Sequence, residues 1–365
     1  MKKFVSNIIQ AILTVYAKGI IKRFKPEIMV ISGSMAKTTT KEMVFAALKH
    51  KFNGEIKCTP GNLNTSIGIS LAFLGYDKQP SLWMWPGMLI SFFFRYIFMS
   101  NFPKFYIIEI GADKPGDIKA ICSYLKPKYG IITAIGPAHE EIFGSIDAIV
   151  KEKSEIIKDL PIDGAAFINQ NDEKKYKLSE YTKAKVVFFD SPISEISVNI
   201  AMSVGKYFGL SETVIKESFK DAPKESSRFS VYNLKENILL LDDSYNANPL
   251  SMKGAIEYFE NILSNKSGRK IAILGDMLEL GEKSKEYHTE IGKLIDGKFD
   301  LVFSVGKASS DYNSNRHFQN VAEIIPFILN EIKTDDNILV KGSRGIKLDL
   351  LAKEIKNKFI GVDKV

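Results

Sequence analysis

The stretch that most constrains this chain is residues 28–48. Ile28-Met29-Val30-Ile31 is a short apolar run with β-branched residues, the pattern of a buried parallel strand. It runs into Gly33-Ser34-Met35-Ala36-Lys37-Thr38-Thr39-Thr40, after which residues 42–48 read as a helix. Strand, small-residue loop, Lys-Thr and helix is the order of a P-loop. In such a loop, backbone N–H groups at a helix N-terminus and a lysine ammonium converge on phosphate, and a threonine hydroxyl reaches Mg2+.

The pattern then alternates. Residues 105–108 read as a strand ending at Glu109, residues 129–135 as a third and 165–168 as a fourth, with polar helices over 115–125 and 145–160 between them. Strands alternating with helices of this length predict a doubly wound parallel sheet, whose ligands sit beyond the C-terminal strand ends. Glu109 and the P-loop both lie at such ends, which favours a metal ligand over a surface carboxylate at 109. A second α/β unit starts near Ile238, where 239–241 run into Asp242-Asp243-Ser244-Tyr245-Asn246-Ala247-Asn248-Pro249. Three further strands end in Gly275-Asp276-Met277, Gly306-Lys307 and Lys341-Gly342-Ser343-Arg344. Residues 221–228, with Pro223 and two serines, are the candidate hinge.

A length of 365 residues fits two or three domains, and 45% hydrophobic with 25% charged residues is a globular composition. The net charge of +7 suits phosphates or an anionic membrane, but the basic residues are scattered and no nucleic-acid motif occurs, so no nucleic-acid partner is expected. Cys58 and Cys122 offer neither a disulfide framework nor metal-ligand spacing and read as small buried hydrophobes, in keeping with a cytoplasmic location. At the N-terminus, Lys2 and Lys3 precede Val5, Ile8, Ile9, Ile12, Leu13, Val15, Tyr16, Ile20 and Ile21, with Lys18, Lys22 and Arg23 interrupting. No small-residue cleavage site follows, and the spacing predicts an amphipathic helix within 1–27. It reads either as docked on the next domain or as a basic interfacial helix. The apolar segment 81–99 holds Trp83 and Trp85 and is near spanning length. Pro86, Gly87, Arg95 and its place inside a domain argue against a transmembrane helix. It reads either as packed on the core or as an interfacial patch for membrane or a lipid-linked acceptor, which would give peripheral contact through 1–24 and 81–99 at the inner face of the membrane.

Several motifs in order resemble the Mur ligase family, closest to the members that add D-alanyl-D-alanine. Ser32 through Glu42 looks like the family's phosphate loop, and Thr59-Pro60-Gly61-Asn62-Leu63-Asn64-Thr65-Ser66-Ile67-Gly68 its Thr/Asn-rich loop. Ile108-Glu109-Ile110-Gly111-Ala112-Asp113 with Pro115-Gly116-Asp117-Ile118 resembles its central acidic motif, and Gly136-Pro137-Ala138-His139-Glu140 its His motif. Asp242 through Pro249, Leu274 through Glu282 and Lys341 through Arg344 resemble its C-terminal signatures. The resemblance implies a P-loop central ATPase domain over 28–228 and a C-terminal Rossmann-like α/β domain over 229–365. It also implies an ADP-forming ligase that phosphorylates a carboxylate and hands the acyl group to an amine, on cell-wall precursors that are small molecules or peptides. By that likeness ATP lies on Gly33, Ser34, Ala36, Lys37, Thr38 and Thr39, and Thr38 with Glu109 holds one Mg2+. His139 helps to bind a second Mg2+, and Lys153 sits where the family carries a carbamylated lysine. Arg228 reaches ATP from the domain junction, Tyr245 and Asn246 face adenine, and Asp242 or Asp243 the ribose. Lys37, Glu109, His139 and Lys153 form the expected catalytic group.

Each residue also has a plainer reading. Lys153 reads as a solvated helix lysine, His139 as a structural loop residue, and Asn246 with Asn248 as turn residues before Pro249. Two departures from the family bear on function. Ala36 stands where the family has glycine ahead of the P-loop lysine, so a Cβ occupies a position that favours a freer backbone, and weaker nucleotide binding is expected. Only about 27 residues precede the P-loop strand, where relatives with UDP-linked substrates carry a separate domain, which keeps a non-UDP acceptor of lipid-linked or folate type open. A degenerate nucleotide-binding scaffold is the third reading, opposed by the retention of Lys37, Thr38, Glu109, His139 and Lys153.

Overall fold

The computed structural model describes residues 2–81, 84–222, 227–264, 266–359 and 363–364, with side chains at all of these except 2–5, 86 and 363–364. The chain divides into two compact units. The first comprises Met1–Ile135, Asp147–Ser191 and Glu195–Pro223; the second comprises Gly136–Ile146, Pro192–Ser194 and Lys224–Val365.

Among the described residues the first unit is built on six strands: β1 (Glu27–Ser32), β2 (Ile56–Cys58), β3 (Phe105–Glu109), β4 (Tyr129–Ile132), β5 (Ala165–Asn169) and β6 (Lys185–Phe189). Their order is β2-β3-β1-β4-β5-β6, and every pairing is parallel. β3 and β5 are buried along their whole length, as strands covered on both faces must be, which explains why their sequences are unbroken apolar runs. β1 lies between β3 and β4, so the chain reverses its direction of winding there, and the loops that follow β1 and β3 open at the switch point. The register sets Glu109 beside Ile31, one residue short of the end of β1.

β4 is shorter than the sequence predicts, ending at Ile132, because the residues beyond it turn their polar groups to the P-loop. Thr133 N–H donates to Ser32 O, Thr133 Oγ1 donates to Met35 O, and Ala134 O accepts from Ser34 N–H. β2 and β6 are edge strands that the apolar-run criterion does not find: β2 has three residues and β6 is exposed or half-buried over most of its length.

Helices α1 (Lys2–Phe24), α2 (Lys37–Lys49), α3 (Ser66–Phe73), α4 (Trp85–Phe98) and α5 (Asp117–Leu125) belong to this unit, with α2 packed on β1, β2 and β3. α1 buries Ile9, Leu13, Ala17 and Ile20, a stripe at helical spacing, against α3 and α5, so its docked reading holds for that face. Within the apolar segment 81–99, α4 seats Trp85 and Phe92 in the core, Phe92 against Tyr76. Leu82 and Trp83 lie outside the described residues, as do 223–226 of the predicted hinge and the side chain of Val5. No described helix is long and apolar enough to cross a membrane.

Among the described residues the second unit has seven strands: β7 (Ser230–Asn233), β8 (Leu239–Asp243), β9 (Lys270–Gly275), β10 (Leu301–Val305), β11 (Arg316–Phe318), β12 (Asn337–Lys341) and β13 (Asp363–Lys364). Their order is β11-β10-β9-β12-β8-β7-β13. The five strands from β11 to β8 are parallel, and β7 and β13 extend the β8 edge in antiparallel fashion. One face of the sheet packs a core around Ile273, Val340 and Leu351, the other a core around Leu241, Ala272 and Phe259. The four polar loops predicted to share one edge follow the parallel ends of β8, β9, β10 and β12.

Candidate active site

The P-loop is more tightly built than its sequence suggests. α2 starts at Lys37 rather than at 42, and the residue before it, Ala36, sits in the left-handed region at φ 57°, ψ 11°. An L-residue with a Cβ pays about 1–2 kcal/mol for that conformation. The glycine of the family pattern would not, so the departure at 36 falls at a strained point. Lys37 Nζ donates to Gly33 O at 2.9 Å, holding the lysine across the loop. Gly33 is required on two counts: its φ is +154°, and a Cβ there would stand 2.0 Å from Thr133 Oγ1. Thr38 is buried and Thr39 half-buried in the first turn of α2, whose N–H groups have no acceptor within the helix. Thr40 is turned inward, with its hydroxyl 3.0 Å from Ser197 Oγ.

Glu109 ends β3 with 2% of its surface exposed. Its N–H donates to Thr59 Oγ1 at 3.2 Å, and its Oε1 accepts from Asn64 Nδ2 at 2.9 Å. Its Oε2 has no hydrogen-bond donor, and Lys41 Nζ lies 3.9 Å from it. A buried carboxylate oxygen without a donor is costly unless a cation completes it. Mg2+ prefers one or two protein carboxylates and takes its remaining oxygens from phosphate and water. The open oxygen of Glu109 therefore suits such an ion, and among the described residues no group of three His, Cys, Asp or Glu side chains forms an all-protein site.

Lys41 and Asn64 belong to this site, and sequence reasoning did not single out either. Lys41 is fully buried, donates to Gly61 O at 2.8 Å and lies 3.2 Å from Glu42 Oε1. Both lie inside motifs that carry the resemblance, Asn64 in the Thr59–Gly68 loop and Lys41 near the end of Ser32–Glu42, but Lys41 by itself looks like any solvated helix lysine.

Lys153 lies on α7 (Ile146–Lys158), after the one-turn helix α6 (Glu140–Phe143), and is 3% exposed. Its reading as a solvated lysine is thus corrected. Burial pushes its ammonium pKa down to about 7, the Lys37 charge pushes in the same direction, and Glu152 and Asp113 oppose them. Glu152 accepts the N–H groups of Gly116 and Ile118 at 2.7 and 2.9 Å, tying α7 to the start of α5. Lys37, Thr38, Glu109 and Lys153 all belong to the first unit.

His139 belongs to the second. It precedes α6 at φ 60° and its Nδ1 pairs with Glu279 Oε2 at 2.5 Å, while neighbouring Glu140 is buried and accepts from Tyr287 OH at 2.9 Å. In the same unit the Arg228 guanidinium lies 3.9 Å over the Tyr245 ring, and Arg344 Nη1 donates to Tyr245 OH at 3.3 Å. The two expected nucleotide contacts Arg228 and Tyr245 are thus adjacent. Asp242 is engaged internally, accepting from Ser244 and from Lys356 Nζ at 2.9 Å. Asp243 pairs with buried Lys341, which also donates to Asn246 O at 2.9 Å. Asn246 presents an exposed side chain, whereas Asn248 is no turn residue: it caps helix Pro249–Ile262 from an extended backbone, in a capping box with Ser251.

Comparison with known proteins adds independent observations. A model of the Mur ligase middle domain matches residues 90–238, and one of the Mur ligase glutamate ligase domain matches residues 227–344. The UDP-N-acetylmuramoyl-tripeptide–D-alanyl-D-alanine ligase of Haemophilus influenzae is 27% identical over 389 residues, spanning 94% of this chain and 79% of that protein. The crystal structure of MurF ligase from Thermotoga maritima in complex with ADP superposes with a TM-score of 0.77 at 22% identity, over 96% of this chain and 84% of that one. A folylpolyglutamate synthase/dihydrofolate synthase from Yersinia pestis, complexed with AMPPNP and Mn, gives a TM-score of 0.63 at 15% identity, over 93% and 92%. At these identities the structural likenesses bear on the fold alone.

Proposed function

The chain belongs to the Mur ligase family, and on that premise we propose that it is an ATP-dependent, ADP-forming ligase that joins D-alanyl-D-alanine to a peptide carboxylate of a cell-wall precursor. The observation that carries the reading is the buried Glu109 carboxylate, with one oxygen lacking a donor, at the strand end beside the P-loop.

The chemistry balances in two steps. An acceptor carboxylate oxygen attacks the γ-phosphorus of ATP; a new P–O bond forms, the bond to the β-phosphate oxygen breaks, and ADP leaves. The amine nitrogen of the dipeptide then attacks the acyl carbon, a C–N bond forms, the nitrogen loses a proton, and inorganic phosphate departs. A bare carboxylate is a poor electrophile, which is why activation is needed. The protein's part is alignment and neutralisation of phosphate charge.

In this reading the N–H groups of 34–39 cradle phosphate, and Lys37 exchanges its bond to Gly33 O for a phosphate oxygen. Thr38 and Glu109 hold Mg2+, which when bound withdraws charge from the phosphate oxygens. Asn64 and Thr59 fix Glu109. Lys153 carries a carbamate, an anion able to support a metal site. His139 assists a second metal ion, and Arg228, Tyr245, Asn246 and the Asp242–Asp243 pair serve the nucleoside. ATP consumption of this kind belongs in the cytoplasm.

Amine-dependent ADP release tests the proposal. ADP release should require UDP-N-acetylmuramoyl-tripeptide and D-alanyl-D-alanine together, with one phosphate formed per amide bond. ADP release that ignores the amine, across a panel of peptidyl and folate-type acceptors, would rule out ligation. Turnover with a folate-type acid alone would move the acceptor while leaving the ligase chemistry standing.

A further inference from the structure

α4 has two faces of opposite character. Trp85 and Phe92 face the core, while Ile90, Phe93, Phe94, Ile97 and Phe98 are 45–74% exposed. Their spacing sets these five in one stripe, and Phe94 stacks on Phe98 with ring centroids 6.2 Å apart. Large aromatic side chains clustered on one exposed helix face are far more apolar than an ordinary surface.

α1 lies alongside. Its Tyr16 packs on Tyr96 of α4 at 5.4 Å, Arg23 Nη1 donates to Tyr96 O at 3.3 Å, and Gly19 leaves room for the Tyr96 hydroxyl, which would stand 2.5 Å from a Cβ there. The side of α1 not docked on α3 and α5 exposes Val15, Lys18 and Lys22 at successive turns. Charge on the two segments is one-sided. Residues 1–26 contain six Lys or Arg and no Asp or Glu, and residues 78–104 contain three and none.

We infer that the exposed faces of α4 and α1 form a surface that binds in the plane of an anionic phospholipid membrane. Aromatic and aliphatic side chains on α4 enter the headgroup–acyl boundary, and the lysines of α1 meet the lipid phosphates. α4 has 14 residues, a length of about 21 Å, short of the roughly 30 Å hydrocarbon thickness, so it lies along the interface rather than across it. Self-association through this face is disfavoured by the same charges, because a two-fold contact would set each cationic rim against its own copy. The inference does not depend on the proposed ligase activity.

The test is co-sedimentation of the full chain with vesicles of phosphatidylglycerol and phosphatidylcholine, and with phosphatidylcholine alone. Binding should favour the anionic vesicles and fall as salt is raised. The triple change Phe93→Ser/Phe94→Ser/Ile97→Ser should lower the partition coefficient at least about 30-fold, since three half-exposed apolar side chains no longer enter the bilayer. Lys18→Glu/Lys22→Glu should lower it at least about tenfold on anionic vesicles and leave the phosphatidylcholine value unchanged. These are surface positions, and an unchanged thermal melt in both variants confirms that they fold. Hydrogen exchange should show vesicle-dependent protection confined to 84–99 and the exposed side of α1. Failure of the intact chain to bind anionic vesicles at low salt overturns the inference. So does a triple variant that binds as well as the parent, or a dimer in sedimentation equilibrium that the triple variant dissolves.

Discussion

Lys153 offers the sharpest test of the proposed site. With its pKa pushed down to about 7, roughly half of the side chain is neutral amine at pH 7, against roughly one in a few thousand for a lysine in water. Only the neutral amine has a lone pair to attack CO2. The C–N bond forms, a proton leaves to solvent, and the product is a carbamate anion. That product also answers the electrostatics, since the Lys37 charge that repels the Lys153 ammonium attracts a carbamate. A lysine pKa depressed by this much corresponds to a burial cost of about 5 kcal/mol as an upper bound. Because the folded pKa is the lower one, the folded state binds fewer protons between about pH 7 and the ordinary lysine value of about 10.4. The cost is therefore full at and below pH 7 and fades as pH rises through that window. Lys153→Met, which keeps the volume and drops the charge, should raise stability in CO2-free buffer by about 2–4 kcal/mol. The same substitution should cut ligase turnover at least about a hundredfold. Carbon-13 NMR in labelled bicarbonate should show a carbamate signal in the parent chain and none in Lys153→Met, and short carboxylic acids should partly restore Lys153→Ala. A fully active Lys153→Ala, together with no bicarbonate-dependent signal in the parent, would refute the reasoning.

Three further outcomes are expected. Ala36→Gly should relieve the left-handed strain at φ 57°. After the greater unfolded-state entropy of glycine is offset, roughly 0.5–1 kcal/mol remains, a rise of about 1–4 °C in Tm by calorimetry. The weaker nucleotide binding expected from the sequence does not follow from this geometry: ATP affinity should stay within about twofold, because a loop that keeps its shape carries the strain in both states, and a large gain in affinity would show that the Cβ acts on the ligand instead. Glu109→Gln should leave nucleotide binding measurable by fluorescence titration while raising the Mg2+ concentration it requires and lowering turnover at least about a hundredfold; an unchanged Mg2+ dependence would remove Glu109 as a ligand. His288 is buried with Nε2 accepting from Met277 N–H at 3.0 Å and Nδ1 2.7 Å from Ser284 O, and burial lowers its pKa. Its contribution to stability is full above about pH 6.5 and lost as pH falls, so His288→Leu should flatten the acid limb of denaturant melts at an expense of about 1–3 kcal/mol for the orphaned N–H.

Much of the first unit's sheet was legible because parallel strands buried on both faces leave an apolar signature. Apart from the start of α2, what escaped had nonlocal causes. The start of α2 was displaced because Thr38, Thr39 and Thr40 are weak helix formers and Ala36 gives no capping signal for the left-handed turn it makes. Lys41 looks solvated until Gly61, twenty residues on, closes over it. β4 stops early on account of hydrogen bonds to a loop about a hundred residues upstream. Gly136–Ile146 belongs with the second unit through partners such as Glu279 and Tyr287, which no local pattern announces.

The contact between Gly33 and Thr133 ties two distant positions into a single inherited choice. The Thr133 hydroxyl fills the space that any side chain at 33 would claim, and at the same time it holds Met35 O. Serine at 133 could keep that bond, but valine would lose it and set a methyl group in its place. Drift at 33 is therefore answerable to 133, and descendants of this chain should keep glycine at 33 for as long as threonine or serine stands at 133.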